Sequence, residues 1–370
     1  MREKVKGIIA RRTRSQIKLY FLIFIVVAGT LASVIYLKTV SAGEAVVTLQ
    51  NQERQLVLAR SAASQIEFFL EGLRRDVLRL ASVEDVSAGR EEEARKTLQE
   101  FIDNAPTSPL IGFARLDKSG KVIVIANKKR LRTGERKDFS YRDYFKWARD
   151  PQNRNKAYTT DPFISRVGVS QGKMVMVVAA PSYFKNEFNG VTMGAILLEK
   201  FAETFIDPIK LESKTEVLLT TRGGRVIYDR NGLLNQNLVD YAKSKKWQGW
   251  EEFVGEFEKI QKEEEGIGAW SFQHVGASWP ETQVIAFKTI RVGDESWKLI
   301  IINHKNFVKS YMLPITSSQN LGFFLILFSF ITGGMLFVFI DHLSHRDGYL
   351  KGYKDGLDEL FSKKKPPYFN

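Results

Sequence analysis

Cysteine is absent from this chain. That absence removes disulfides, thiolate metal sites, Fe–S clusters and a cysteine nucleophile together, and it suits an oxidising compartment, where a free thiol is a liability. Histidine is scarce, at four residues in 370. His274 and His304 stand alone in the sequence, while His342 and His345 lie three apart on one helix face beside Asp341 and Asp347. That pair reads as interfacial histidines with no ligand role, and no metal site is expected. No GxSxG elbow, Walker loop, HExxH motif or dinucleotide fingerprint occurs between the two apolar runs described next, so no catalytic residue and no cofactor is expected. Carboxylates are plentiful but unpaired, which leaves a membrane-anchored cell-envelope hydrolase as an alternative reading.

Charge is missing from two long runs. Leu19–Leu37 contains no charged residue, and Leu321–Ile340 is almost wholly apolar (LGFFLILFSFITGGMLFVFI). Crossing about 30 Å of hydrocarbon takes about 20 helical residues. A buried core helix usually keeps a polar stripe, which neither run has. Two transmembrane helices are therefore expected, at 19–37 and 320–340. The first also has a rival reading as a signal peptide with a small-residue site at Val40-Ser41-Ala42, but it is longer than a signal h-region, and an uncleaved anchor is favoured.

The net charge of +13 finds its explanation in those spans. Lys4, Lys6, Arg11, Arg12, Arg14 and Lys18 precede the first span, and only Lys38 and Arg54 closely follow it. The positive-inside bias puts residues 1–18 in the cytoplasm as a basic stub, the region between the spans outside, and 341–370 back in the cytoplasm. A basic stub contacts anionic lipid at about 1 kcal/mol per Lys or Arg near the surface. Nucleic acid is not an expected partner.

Between the spans the pattern changes. From Leu56, apolar positions at Ala59, Ala63, Ile66, Leu70, Leu73, Val77 and Leu80 alternate by three and four, the seam of a long helix. Residues 38–83 form this helix, which packs on its own domain, serves a homodimer, or does both, with Val57, Phe68 and Phe69 widening the stripe. A second helix is expected over Glu91–Asn104, with three glutamates at its positive end. Two β-rich runs then flank Asp117-Lys118-Ser119-Gly120, a hairpin signal. EVLLTTRGGRVIYD repeats the design, with Gly224 over Gly120 and Arg225-Val226-Ile227 over Lys121-Val122-Ile123. The fold class is α+β: a long N-terminal helix and two tandem PAS-like antiparallel-sheet units, at 84–211 and 212–312. One sheet is to hold Val122–Ala126 and Met174–Ala179, the other Val217–Leu219 and Leu299–Ile302. The stretch Lys243–Glu265, between the strands of the second unit, reads as a helical, charge-rich insertion with a solvated surface.

One segment concentrates recognition chemistry: FSYRDYFKWARDPQNRNKAYTTDPF, with Tyr141, Arg142, Tyr144, Phe145 and Trp147 within seven residues and Tyr158 downstream. Arginine offers a planar fork for a carboxylate, and aromatic walls hold a small ligand in a dry site. The same residues also suit an amphipathic surface helix packed on a sheet.

The order of these features resembles the double Cache sensor family of bacterial membrane receptors. The resemblance rests on Arg142-Asp143-Tyr144-Phe145, Ala179-Ala180-Pro181, Gly194-Ala195-Ile196 and the second-unit runs VLLTTRGGRVIYD and SWKLIIIN, set between two spans. It implies a small-molecule site in the membrane-distal first unit, with Arg142 gripping a carboxylate and Tyr144, Phe145 and Tyr158 lining the pocket. Glu199 falls where amino-acid-binding members carry an aspartate for the ligand ammonium, and Lys137 stands where they carry a tyrosine. Ligand classes therefore stay open between an amino acid and another small organic anion. A degenerate scaffold that binds a protein partner is a further alternative. Only about 30 residues follow the second span, too few for an output domain, so a stand-alone sensor with a signalling partner and a truncated piece are both consistent. Tyr349, Leu350, Tyr353, Leu357, Leu360 and Phe361 are expected on a short docking helix that Gly348, Gly352 and Gly356 weaken.

Overall fold

The structure is a computed structural model. It describes residues 2–105, 109–132, 134–210, 215–230, 232–273, 275–305 and 313–362. His274 and the Lys363–Lys365 run lie outside them. The chain divides into two compact units, one formed by Met1–Val47 with Lys309–Asn370 and the other by Thr48–Val308.

The first unit holds the N-terminal half of helix α1 (Arg2–Ser82) and the C-terminal helix (Leu313–Ser362). Both are long and apolar enough to cross a membrane. They run antiparallel: Phe21 meets Phe337 with ring centroids 4.8 Å apart, and Tyr36 meets Phe323 at 4.9 Å. Gly334 permits the approach, since a Cβ there would meet Ile25 Cδ1 at 3.0 Å. Hydroxyls within the helices are satisfied internally, Thr30 donating to the Val26 carbonyl, Ser33 to Gly29, Ser329 to Leu325 and Thr332 to Phe328. A bilayer interior offers no water to do this. The C-terminal helix continues through Gly348, Gly352 and Gly356 to Ser362.

The second unit begins with the rest of α1. The expected seam is its buried face: Ala59, Ala63, Ile66, Leu70, Leu73 and Val77 are all within the core. The helix is longer than the seam, because the apolar span and the amphipathic segment join without a break. Two short helices follow, α2 (Glu84–Ala88) and α3 (Glu91–Asn104), the latter burying Ala94, Leu98 and Ile102 at i, i+4 and i+8.

The first sheet contains β1 (Leu110–Leu116), β2 (Val122–Asn127), β3 (Tyr158–Thr159), β4 (Phe163–Ile164), β5 (Met174–Phe184) and β6 (Glu187–Leu197) in the order β2-β1-β6-β5-β3, with β4 also on β5. Helix α4 (Asp143–Ala148) lies between β2 and β3, and α5 (Leu198–Phe201) follows β6. The second sheet contains β7 (Glu216–Thr221), β8 (Val226–Tyr228), β9 (Glu265–Phe272), β10 (Glu281–Val292) and β11 (Glu295–His304) in the order β8-β7-β11-β10-β9. Its helices are α6 (Leu238–Lys245) and α7 (Trp250–Lys262). All pairings are antiparallel. The two expected sheets are thus separate, and α1 shares one core with both, since Ile66 and Leu70 cluster with Ile196 of the first and Leu299 and Ile301 of the second.

The internal repeat is visible hydrogen bond by hydrogen bond. The Gly120 amide donates to the Asp117 carbonyl and the Phe139 amide to the Gly120 carbonyl; Gly224 donates to Thr221 and Leu238 to Gly224. Arg136 and Asn235, each with a positive φ, donate to the Val122 and Val226 carbonyls. Gly120 itself has φ +90°, and a Cβ there would lie 2.7 Å from Ser140 backbone atoms.

The Lys243–Glu265 stretch is more than solvated surface. Its charges are exposed, but Phe253, Phe257 and Ile260 of α7 are buried in the core of the second sheet with Trp270 and Phe272. Strand β9, which carries those two residues, adds an edge to the second sheet beyond the strands expected from the sequence.

Candidate functional site

The face of the first sheet turned away from α1 is hollowed by small residues. Cross-strand partners Asn127, Gly112, Ala195 and Val177 form one row over β2, β1, β6 and β5, and Ile125, Ala114 and Met193 form the next. Gly112 and Ala195 leave the row low at its middle. Above it is a cavity of about 50 Å³, walled by Phe139, Tyr144 and Phe163 and roofed by the Ser165–Ser170 segment. Arg142 and Arg166 line it as well.

Arg142 is the N-cap residue of α4, with an extended backbone (φ −69°, ψ 142°). That placement sets its side chain against rings: its guanidinium carbon is 4.4 Å from the Phe163 centroid, 5.3 Å from Tyr141 and 5.9 Å from Phe139. Its Nε is buried without a hydrogen-bond partner. Among the described residues it makes no ion pair. Cation–π contacts are worth about 0.5–2 kcal/mol, so ring faces hold a cation that has no counter-ion. Burial raises the Tyr144 hydroxyl above its usual range, against the opposing effect of Arg142.

The other sequence candidates are dispersed. Phe145 is buried and faces Phe188 at 6.0 Å, away from the cavity, because successive α4 residues point to different sides. Tyr158 is half-buried on β3, tilted against Trp147 with ring centroids 5.3 Å apart, and burial raises its hydroxyl pKa. Neither lines the cavity. Glu199 lies outside it too: the chain turns into α5 just before it, leaving the carboxylate exposed and 3.9 Å from Lys173 Nζ. Sequence reasoning missed Arg166, Ser165 and Ser170, whose only signal was the polar, glycine-bounded loop before β5.

Over the second sheet the corresponding ground is narrower, with a cavity of about 20 Å³ lined by Leu238, Phe253, Trp270 and Phe272. Counting on from the shared Phe139 and Leu238 hydrogen bonds, Tyr241 falls where Arg142 stands, and its hydroxyl donates to the Gln273 carbonyl. Tyr241, Trp247 and Phe272 close on one another at 5.5–6.1 Å. A polar cluster sits at the end of β11, where His304 Nδ1 is 2.6 Å from Glu281 and Nε2 3.6 Å from Glu216, so His304 is not isolated. Its pKa is raised, chiefly by hydrogen bonding to Glu216.

No family model matches the sequence, and no curated protein matches it. Solved structures do resemble the fold. The extracellular domain assigned to a histidine kinase, soHK1S-Z6, superposes with a TM-score of 0.51 at 14% identity, over 72% of this chain and 98% of that one. The ligand-binding domain of the amino acid chemoreceptor PctB of Pseudomonas aeruginosa PAO1, in complex with L-Arg, gives 0.50 at 14% identity, over 69% and 95%. The fold is the double Cache fold. An extracellular ligand-binding receptor from Desulfohalobium retbaense gives 0.48 at 15% identity, and the match spans 39% of that longer chain.

Proposed function

We propose that this chain is a membrane-anchored, extracytoplasmic small-molecule sensor without enzymatic activity. The observation that carries the proposal is Arg142, a guanidinium held by three rings at the edge of an apolar cavity and, among the described residues, without a carboxylate partner. Arg142 is half-buried, but its Nε is shut off from water without a hydrogen-bond acceptor; such a group is costly, and a ligand carboxylate would supply the missing acceptor. Solved domains of the same fold include receptor sensor domains, one of them bound to L-Arg.

The two apolar helices anchor the protein, and the basic residues before Leu19 place both termini in the cytoplasm. Helix α1 leaves Val57 and Phe68 exposed on the side away from its core, and we assign that face to a second copy. A ligand that favours one arrangement of such a dimer shifts its population, and α1 carries the change inward to a signalling partner. The test is thermal unfolding of the full chain in lipid nanodiscs, read by tryptophan fluorescence, against a panel of small carboxylates and amino acids. Stabilisation by at least one compound is expected. Hydrolysis of a compound by the chain, or stabilisation by none, would overturn the sensor reading.

A further inference from the structure

The cavity's polar groups discriminate between the two ligand classes that the sequence left open. An α-amino acid carries its ammonium one carbon from its carboxylate, so a site for it needs acceptors close to the arginine. Among the described lining residues there is no aspartate or glutamate. The Asn127 side-chain oxygen already accepts from the Lys129 and Leu131 amides, both at 3.1 Å. Ser165 donates to the Val167 carbonyl and Ser170 to Ser165 Oγ, at 3.1 and 2.9 Å. Glu199, the one candidate for the ammonium, is paired with Lys173 outside the cavity.

The cations, by contrast, are in excess. Arg166 lines the cavity beside Arg142, and its Nη1 donates to the Tyr141 hydroxyl at 3.1 Å. Both guanidinium carbons lie within 6 Å of the Tyr141 ring, at 5.3 and 5.9 Å. Lys137 Nζ, outside the cavity lining, donates to the Arg166 carbonyl at 2.9 Å, so a third cation is held on the same loop. Among the described residues neither arginine has a carboxylate partner. Beyond this cationic rim the surface is apolar, with Ile125, Val167, Val177 and Met193. Its volume, about 50 Å³, is about a third of the 150 Å³ cavity that accepts benzene, so the occupant is small.

We propose that the cavity takes a short-chain organic carboxylate that lacks an ammonium group, with Arg142 as the inner anion-binding residue and Arg166 as a second, outer one. This rests on the Arg142 site assigned under Proposed function. An ammonium brought to this rim meets two guanidinium groups and no acceptor charge, whereas a carboxylate meets both forks and places its alkyl chain on the apolar floor.

Butyrate and L-2-aminobutyrate share one carbon skeleton and differ by the ammonium, which makes them the probes. Each is titrated into the full chain in nanodiscs, as wild type, Arg142→Ala and Arg166→Gln. Butyrate is expected to bind at least 10-fold more tightly than L-2-aminobutyrate, to lose at least 30-fold with Arg142→Ala, and to lose about 3- to 10-fold with Arg166→Gln. If L-2-aminobutyrate binds as well as butyrate or better, and Arg142→Ala abolishes it, the site stands and the anion inference falls. If Arg142→Ala changes neither affinity, the site itself is wrong. If neither probe binds at 10-fold excess over millimolar concentrations, the short-chain assignment is overturned. An unchanged butyrate affinity in Arg166→Gln removes Arg166 from the site.

Discussion

Filling the cavity is a direct perturbation of the proposed site. Ala195 sits at the centre of its floor, between Gly112 and Val177. Ala195→Val adds two methyl groups on a strand, where a β-branched side chain fits the backbone. Closing a void recovers about 24 cal/mol per Å³, which for the 50 Å³ present here is about 1.2 kcal/mol. The transfer of two added methyls gives a similar figure, at about 0.8 kcal/mol each. The variant should therefore be about 1 kcal/mol more stable, raising the Tm by about 2–4 °C for a domain of this size, and should lose ligand binding. Overpacking costs about 1–3 kcal/mol where no void exists. Denaturant unfolding of wild type and variant, with titration of whichever carboxylate stabilises the wild type, makes the comparison. A destabilised variant that still binds would refute the placement of the cavity over Ala195.

Three further outcomes are expected. Arg115 is fully buried, and burial lowers its pKa to about 10; it donates to the carbonyls of Val86 and Asn189, both at 2.8 Å, and to those of Ser87 and Leu116. Each buried acceptor orphaned by Arg115→Met costs about 1–3 kcal/mol, so the variant should unfold at clearly lower denaturant, and an unchanged midpoint would show that the buried charge stabilises nothing. The His304 pKa is raised above its ordinary 6.5 by Glu216 and Glu281, so its contribution is complete below that unfolded value and is lost as pH rises through the higher folded one; the stability gap between wild type and His304→Gln should be larger at pH 5.5 than at pH 9, and a gap independent of pH would contradict this. Single cysteines introduced at Lys118 and at Lys354 in this cysteine-free chain should label from outside and from inside respectively, and outside labelling at Lys354 would contradict two spans.

Much of the fold was legible because it obeys simple periods. The three-four seam of α1, the Asp117–Gly120 and Thr221–Gly224 turns, and the repeat between them all follow from backbone geometry that a short window of sequence carries. The uncharged runs were equally plain. Strand β9 and the buried face of α7 were not, since Glu251, Glu252 and Lys262 dominate a local reading while Phe253 and Phe257 meet Trp270 only in three dimensions. The lining of the cavity was half legible. Arg142 and Tyr144 do meet at the cavity, but Phe145 and Tyr158 turn elsewhere, because orientation around a single turn of helix α4 and a two-residue strand is set by what they pack against. Glu199 lies outside the cavity because the chain becomes helical at Leu198, and Arg166 reaches the cavity through a loop whose position depends on hydrogen bonds between Ser165, Lys173 and Gly172.

The most direct test of the sensor account is calorimetric titration of a stabilising carboxylate into wild type, Arg142→Ala and Arg142→Lys. Truncating one member of a buried charge pair costs about 2–5 kcal/mol, so Arg142→Ala should bind roughly 30-fold to several thousandfold more weakly at 1.4 kcal/mol per tenfold. Arg142→Lys should recover only part of the loss, since an ammonium cannot present the two-point fork. Equal affinity in all three proteins would place the ligand away from Arg142 and contradict the account.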